Sequence, residues 1–409
     1  MTLLDSNLKT RAAAITLLAV FATAVLLSTA HAQTLTVLHT FTDGADGYEP
    51  FAGVTLDQQG RIYGTTYSGG SHGAGVVFRL VRGGQGWTLS PIYSFGSQDH
   101  DGSAPYSRVV FGPGGLLYGT TLYGGAENSG TVFSLQPPAT ACKNALCPWT
   151  ETILYSFSGG ADGAGPQFGD LVFDQAGNIY GTTSAGGSSG GGVVFKLARS
   201  GGGWNESVLW NFTSGSDGSY PIGGLIFDNA GNLYGATTFG GSGGYGTLYE
   251  LSPTQSGWSE TTLYAFTGEI GAGAGGLVMD AHGNLFGITG GLSGGLSGAY
   301  ELSPQNGSWS FHVLKNFGGE YVGAVAGLIF DSHGNLYGAL PTVGNDFTGE
   351  IFRLTPSGNQ WLYSSFYTFN GSSSGVPLGS VTFDASGNMY GTGLDGGSDY
   401  NGTVWEITP

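Results

Sequence analysis

FDNAGNLYGATTFGG, residues 227–241, returns with small changes down the whole chain: FDQAGNIYGTTSAGG from Phe173, FDSHGNLYGAL from Phe330 and FDASGNMYGTG from Phe383. With the ring of the G-N-L-Y-G core as a marker, copies fall at Tyr63, Tyr118, Tyr180, Tyr234, Phe286, Tyr337 and Tyr390. That is seven copies, with 327 residues over six intervals and a mean spacing of 54.5. Each copy carries four short apolar runs separated by turn residues. The first is GLIFD-like (224–228), the second NLYGTT-like, the third GTLYEL-like (246–251), and the fourth follows a Trp and ends in Phe, as in LYAF (263–266). Between the first two runs, D-x-x-G-N reads as a tight hairpin, with Asp capping the turn and Gly supplying positive φ.

Four antiparallel strands per unit, repeated seven times, predict an all-β fold: a seven-bladed β-propeller of four-stranded blades. A linear solenoid is the competing arrangement and needs capping repeats, for which the sequence offers no segment. The ends favour a closed ring. TLTVLHTF (34–41) matches a fourth strand, and the chain stops after GTVWEITP, a third strand. The N-terminal strand is therefore expected to complete the last blade and remove the exposed sheet edge.

Residues 1–32 read as a signal peptide. Lys9 and Arg11 precede the apolar stretch Ala12–Leu27, and Ala30-His31-Ala32 is a small-x-small cleavage site. Residues 33–409 then form one propeller domain. Cleavage removes Lys9, Arg11 and Asp5, leaving nine basic against twenty-seven acidic residues, a net charge of −18. So acidic a chain, without a basic patch, is not expected to bind nucleic acid. No other segment is apolar enough to span a bilayer, so no membrane association is expected after cleavage. Gly is 79 of 409 residues, but aromatics are 13% and sit at fixed repeat positions, so the glycines read as turns rather than disorder. In an exported chain, Cys142 and Cys147 are expected to form a disulfide.

The G-L-x-F-D-x-x-G-N-L-Y-G-T-T…G-T-V-F-x-L…W…L-Y-x-F unit resembles the Gloeo_Verruco (GloVer) tandem repeat of exported bacterial proteins, over essentially all of residues 34–409. Its first two strands are also similar to NHL-type propeller repeats. The resemblance implies a propeller-like fold and export, and implies no activity. Members of the family often carry a C-terminal anchor. This sequence ends at Pro409 without an apolar tail, so a free secreted or periplasmic protein is expected.

Two loop sets share one face and are the expected ligand-binding region. Four inter-blade connections carry D-G-x-x-P, at Asp46, Asp101, Asp162 and Asp217. Such carboxylates suit Ca²⁺ or a hydroxyl-rich ligand. They equally suit turn chemistry, the reading the repeat favours. The second-to-third loops vary most between repeats and offer His72, Glu127, Tyr245, Asp346, Asp395 and Asp399. The Asp of D-x-x-G-N and the Trp series (Trp87, Trp149, Trp204, Trp258, Trp309, Trp361) read as turn and packing residues. No His-Glu-x-x-His and no phosphate loop is present, and no catalytic residue is assigned. The expected role is an exported binding or scaffold protein for a polysaccharide or a surface protein, with no cofactor unless Ca²⁺ occupies the loops. A propeller hydrolase or lyase on extracellular carbohydrate is the alternative.

Overall fold

The computed structural model describes residues 33–139, 149–270, 275–290, 296–318, 327–341, 349–370 and 373–409. Residues 1–32, read above as a signal peptide, Cys142, Cys147 and Asp346 lie outside the described residues.

Seven antiparallel four-stranded sheets follow one another as the blades of a propeller. Blade 4 shows the pattern: Ile226–Phe227, Leu233–Ala236, Thr247–Thr254 and Gly257–Ala265, paired in that order. The first strand is shorter than the GLIFD pattern predicts. It is two residues long, and the residues before it pack backbone against backbone with a neighbouring blade. A Cβ on Gly223 would stand 2.6 Å from the Gly275 carbonyl oxygen, and one on Gly53 would stand 2.0 Å from that of Ser380.

The inner hairpin explains its own spelling. The Asp228 carboxylate accepts from the backbone N–H of Ala230 (2.8 Å) and Asn232 (2.9 Å) through one oxygen. Its other oxygen accepts from the Asn232 amide (2.8 Å) and the Tyr234 hydroxyl (3.2 Å). Gly231 closes the turn at φ 89°. The Gly after each Tyr has a second cause. Its cross-strand partner is an aromatic of the third strand, and that ring lies where a Cβ would stand. Gly338 pairs with Phe352, whose Cζ would be 2.6 Å from the added carbon, and Gly391 meets Trp405 at 2.4 Å. The substitution Gly338→Ala is therefore expected to overpack the blade and cost about 1–3 kcal/mol, read as a lower midpoint in urea.

Blades join through aromatic layers. The Phe that ends each fourth strand packs on the third-strand ring of the next blade: Phe95 on Phe133 at 5.1 Å, Phe157 on Phe195 at 5.1 Å, Phe369 on Trp405 at 5.2 Å. Each Trp packs on the Tyr or Phe of the preceding inner hairpin, as Trp258 does on Tyr180 at 6.4 Å. The Trp series thus lies between blades.

The ring closes as the sequence predicts. Thr34–Thr40 is the outer strand of the last blade, beside Thr403–Thr408. Phe41 is fully buried, donates its N–H to the Gly402 carbonyl (3.0 Å) and packs on Phe78 of blade 1 (5.3 Å). Blades 7 and 1 also meet through the Thr382 hydroxyl on the Val54 carbonyl (2.7 Å) and the Thr392 hydroxyl on that of Ala52 (2.8 Å). Among the described residues, no helix is long and apolar enough to cross a membrane.

Candidate functional site

The inter-blade connections and the second-to-third loops knit together on one face. Tyr48 exchanges backbone bonds with Ser68, Gly102–Ser103 pairs with Tyr123–Gly124, and Ala164 pairs with Ala185. Within this lattice every residue of D-G-x-x-P has a place. Each Asp caps its own connection four residues back. Asp101 accepts from the Ser97 N–H (2.9 Å), the Ser97 hydroxyl (3.2 Å) and the buried Tyr93 hydroxyl (3.0 Å). Asp217 accepts from the Thr213 N–H (2.9 Å), the Thr213 hydroxyl (2.5 Å) and the Trp210 indole (3.3 Å). Asp46 takes the same two bonds from Thr42 and one from His39 (3.0 Å). Burial alone would raise the Asp162 carboxyl, but bonds from Ser158 and Tyr155 hold it below the ordinary carboxylate range. The Gly lies against a Thr of the following blade, and the Pro lies against the Gly that starts the preceding blade's third strand, as Pro105 does on Gly75.

The residue before each Pro is turned to positive φ whatever its side chain: Glu49 (58°), Ala104 (55°), Gly165 (63°) and Tyr220 (61°). The backbone there is a fixed display position with a variable side chain. After Pro50, Pro105 and Pro166 the chain descends toward the central channel and presents a ring, whereas Ile222 follows Pro221. Phe51 stacks on Tyr106 (centroids 4.4 Å, 20° between planes), and Tyr106 meets Phe168 edge-on at 4.3 Å. Tyr67 packs on both Phe51 (5.5 Å) and Tyr106 (5.2 Å). Gln167 extends the arc by donating to the Tyr220 hydroxyl (2.9 Å), and Tyr220 adjoins the exposed Phe239 (5.7 Å). Phe168 is itself at φ 63°, a conformation a bulky side chain adopts only when its surroundings impose it.

Below the arc lies a channel cavity of about 310 Å³, lined by residues at the inner ends of the blades, among them Phe168, Arg108 and Asp170. The residue before the first-strand apolar run is Gly53, Arg108, Asp170, Gly224, Gly276, Gly327 and Ser380 around the ring. Two of the seven are charged, and they pair. Arg108 donates from Nε to Asp170 (3.0 Å) and from Nη2 to the same oxygen, while Nη1 reaches Thr382 of blade 7 (3.2 Å). This bridge ties blades 2, 3 and 7 together across the channel.

The remaining predicted loop residues separate. His72 and Asp399 are exposed, and Asp399 accepts from Ser398 (3.1 Å). Tyr245 packs into the seam between blades 4 and 5, against Gly268. Asp395 lies at the surface within electrostatic reach of Glu49, a residue sequence reasoning passed over. Burial, then the charges of Asp395 and Asp43, push the Glu49 carboxyl up, and burial raises Asp395. Burial, then Tyr123, Glu49 and Tyr48, raise the Tyr67 phenol. The mouth over blades 7, 1 and 2 therefore combines carboxyls with half-buried rings. Among the described residues no group of three or more His, Cys, Asp or Glu is placed to hold a metal ion.

Comparison with known proteins fixes the family. The model of the Gloeobacter/Verrucomicrobia repeat matches residues 23–151 and 146–320. The chain belongs to the Gloeobacter/Verrucomicrobia repeat family. No curated protein sequence matches this repeat chain. Among solved structures it is similar to a polysaccharide lyase, an ulvan lyase of family PL25, at 13% identity and TM-score 0.53, covering 88% of this chain and 94% of that one. The same lyase bound to -[GlcA(1-4)Rha3S]- gives 13% identity, TM-score 0.52 and the same coverage. A structure assigned as a gluconolactonase gives 13% identity and TM-score 0.44, covering 92% of each chain. These likenesses concern the propeller fold of this Gloeobacter/Verrucomicrobia repeat protein.

Proposed function

We propose that this repeat protein is exported, loses residues 1–32, and binds a polysaccharide across the loop face of blades 1–3. The observation that carries this reading is the run Tyr67–Phe51–Tyr106–Phe168 at the channel mouth. Rings held half-buried by a rigid scaffold stack on sugar faces without losing much side-chain freedom. Tyr hydroxyls and the Glu49 and Asp395 carboxyls beside them supply the bonds that sugar hydroxyls need. The acidic surface favours a neutral polysaccharide over a polyanion, and Arg108, already matched by Asp170, does not offset it. The architecture shared with a polysaccharide lyase is consistent with this use of the fold.

Titration calorimetry of residues 33–409 against neutral plant and bacterial glycans, with and without Ca²⁺, tests the proposal. Phe51→Ala and Tyr106→Ala should each weaken binding about tenfold, or ~1.4 kcal/mol. Variants that bind as the parent does would remove the mouth from consideration.

One observation favours a second reading, a hydrolase or lyase. Glu49, whose carboxyl the charge of Asp395 helps to raise, and Asp395, raised by burial, both stand at the rim of the ring-lined mouth. Perturbed acids in a cleft are what general acid–base chemistry requires. Turnover of a bound glycan that disappears in Glu49→Gln, with binding retained, would establish it. A surface protein as ligand is the outcome left if no glycan binds.

A further inference from the structure

The opposite face, which carries the D-x-x-G-N hairpins, holds a larger feature. A groove of about 960 Å³ runs between blades 5 and 6, against about 430 and 490 Å³ for the corresponding clefts at blades 2–3 and 1–2. The hairpin beside this groove departs from the repeat. In five hairpins a Tyr hydroxyl fills the space beside the turn Asp and donates to it: Tyr63, Tyr180, Tyr234, Tyr337 and Tyr390, at 2.9–3.3 Å. Blade 5 has Phe286 instead. Asp280 keeps its turn bonds from His282, Asn284 N–H and the Asn284 amide, but it receives no phenol. Phe286 and Trp361, edge to face at 5.5 Å, form an apolar end to the groove. Around them stand Asp280, Glu301, the exposed His312 and the exposed Gln360.

We infer that this groove is a second binding site, and that it takes a short uncharged oligosaccharide. The lining mixes acceptors (carboxylates), donors (carboxamide N–H) and groups that do either (imidazole), beside an indole. Such a lining matches hydroxyl groups, each of which both donates and accepts, better than it matches an ion of either sign. The site is independent of the channel mouth, because it lies on the other face and is built from other blades. A chain with both sites would grip two glycan segments at once, with the gain in avidity that linkage gives.

The test uses residues 33–409 with four neutral probes: cellohexaose, xylohexaose, mannohexaose and chitohexaose. Binding is read by calorimetry and by the imidazole NMR signals of His282 and His312. At least one hexaose should move both imidazole signals. Phe286→Tyr restores the residue that the other hairpins carry, so it should fold normally and weaken this binding at least about tenfold. His312→Ala should do the same, and Tyr106→Ala at the mouth should leave it unchanged. Imidazole signals unmoved by all four hexaoses overturn the inference, as does binding that Tyr106→Ala removes and Phe286→Tyr spares. Failure at the mouth alone would abolish the Tyr106-dependent binding and leave the groove signals intact.

Discussion

A chain that begins after Phe41 should melt about 10 °C below the one that begins at Gln33, and it should self-associate. Removing Thr34–Thr40 strips the outer strand from blade 7 and bares the unpaired N–H and C=O groups of Thr403–Thr408. It also removes Leu35 and Leu38, each packed on a seam core, and the fully buried Phe41 that plugs the layer between blades 7 and 1. Loss of one buried Phe alone costs about 3–5 kcal/mol, and in a domain of several hundred residues each kcal/mol lowers the melting temperature by about 2 °C. The bare edge is a template for another copy's edge. Calorimetry and light scattering read the two effects. Adding the peptide QTLTVLHTF should restore the melting temperature, because its site is preformed. A truncated chain that melts and elutes like the longer one would show that the ring is held by something other than this strand.

Much of this architecture is legible in the repeat because each conserved-within-the-chain letter has a local cause. Asp and Gly of D-x-x-G-N are fixed by turn geometry, and the Gly of Y-G is fixed by the ring across the ladder. The missing outer strand of blade 7 could be found by counting runs. The site was less legible, since its residues are the ones that do not repeat. Asp46, Asp101, Asp162 and Asp217 stand out in sequence, yet their oxygens are taken up by turn bonds. Phe51, Tyr106 and Phe168 follow the same motif by one or two residues, but they read as ordinary core aromatics until the connections are seen to converge on the channel. A signal did exist for Arg108 and Asp170. They are the two charges at a position where the other repeats carry Gly or Ser, and that difference from the repeat marks the bridge across the channel. Glu49 was hidden by distance: Asp395, whose charge acts on it, is some 350 residues away in the chain and comes within electrostatic reach when the ring closes.

The blade seams also contain half-buried acids, and these make stability depend on pH. The third residue of the outer strand, counting the Trp as first, is Glu151, Glu206 and Glu260 in blades 2, 3 and 4. Each faces the capping Asp of the preceding connection. Burial, then the charge of Asp101, pushes the Glu151 carboxyl up to about 8, and burial, then Asp162, pushes Glu206 up to about 7. One oxygen of each is buried without a bonding partner, whereas Glu260 accepts from Thr262 (2.9 Å). In each pair the Asp, with its donors, keeps the charge and the Glu keeps the proton. In the unfolded chain these Glu titrate at their ordinary value of 4.5. Between pH 4.5 and about 8 the folded state therefore holds protons that the unfolded state has released. The stability that Glu151 and Glu206 contribute is full below 4.5 and is lost as pH rises through about 7 and about 8. The slope is about 1.4 kcal/mol per pH unit for each group at most. Allowing for the part of each side chain that water screens, the two together should lower stability by about 3 kcal/mol across the window. Glu151→Gln with Glu206→Gln keeps the shape, removes the titration and offers the Asp an amide donor. The double variant should match the parent near pH 4.5 and exceed it by about 3 kcal/mol at pH 8.5, with the two changes adding because they sit in different seams. Urea denaturation at a series of pH values makes the comparison. Parallel profiles for parent and variant would mean that both Glu are ionised in the folded protein and that the seams tolerate paired carboxylates.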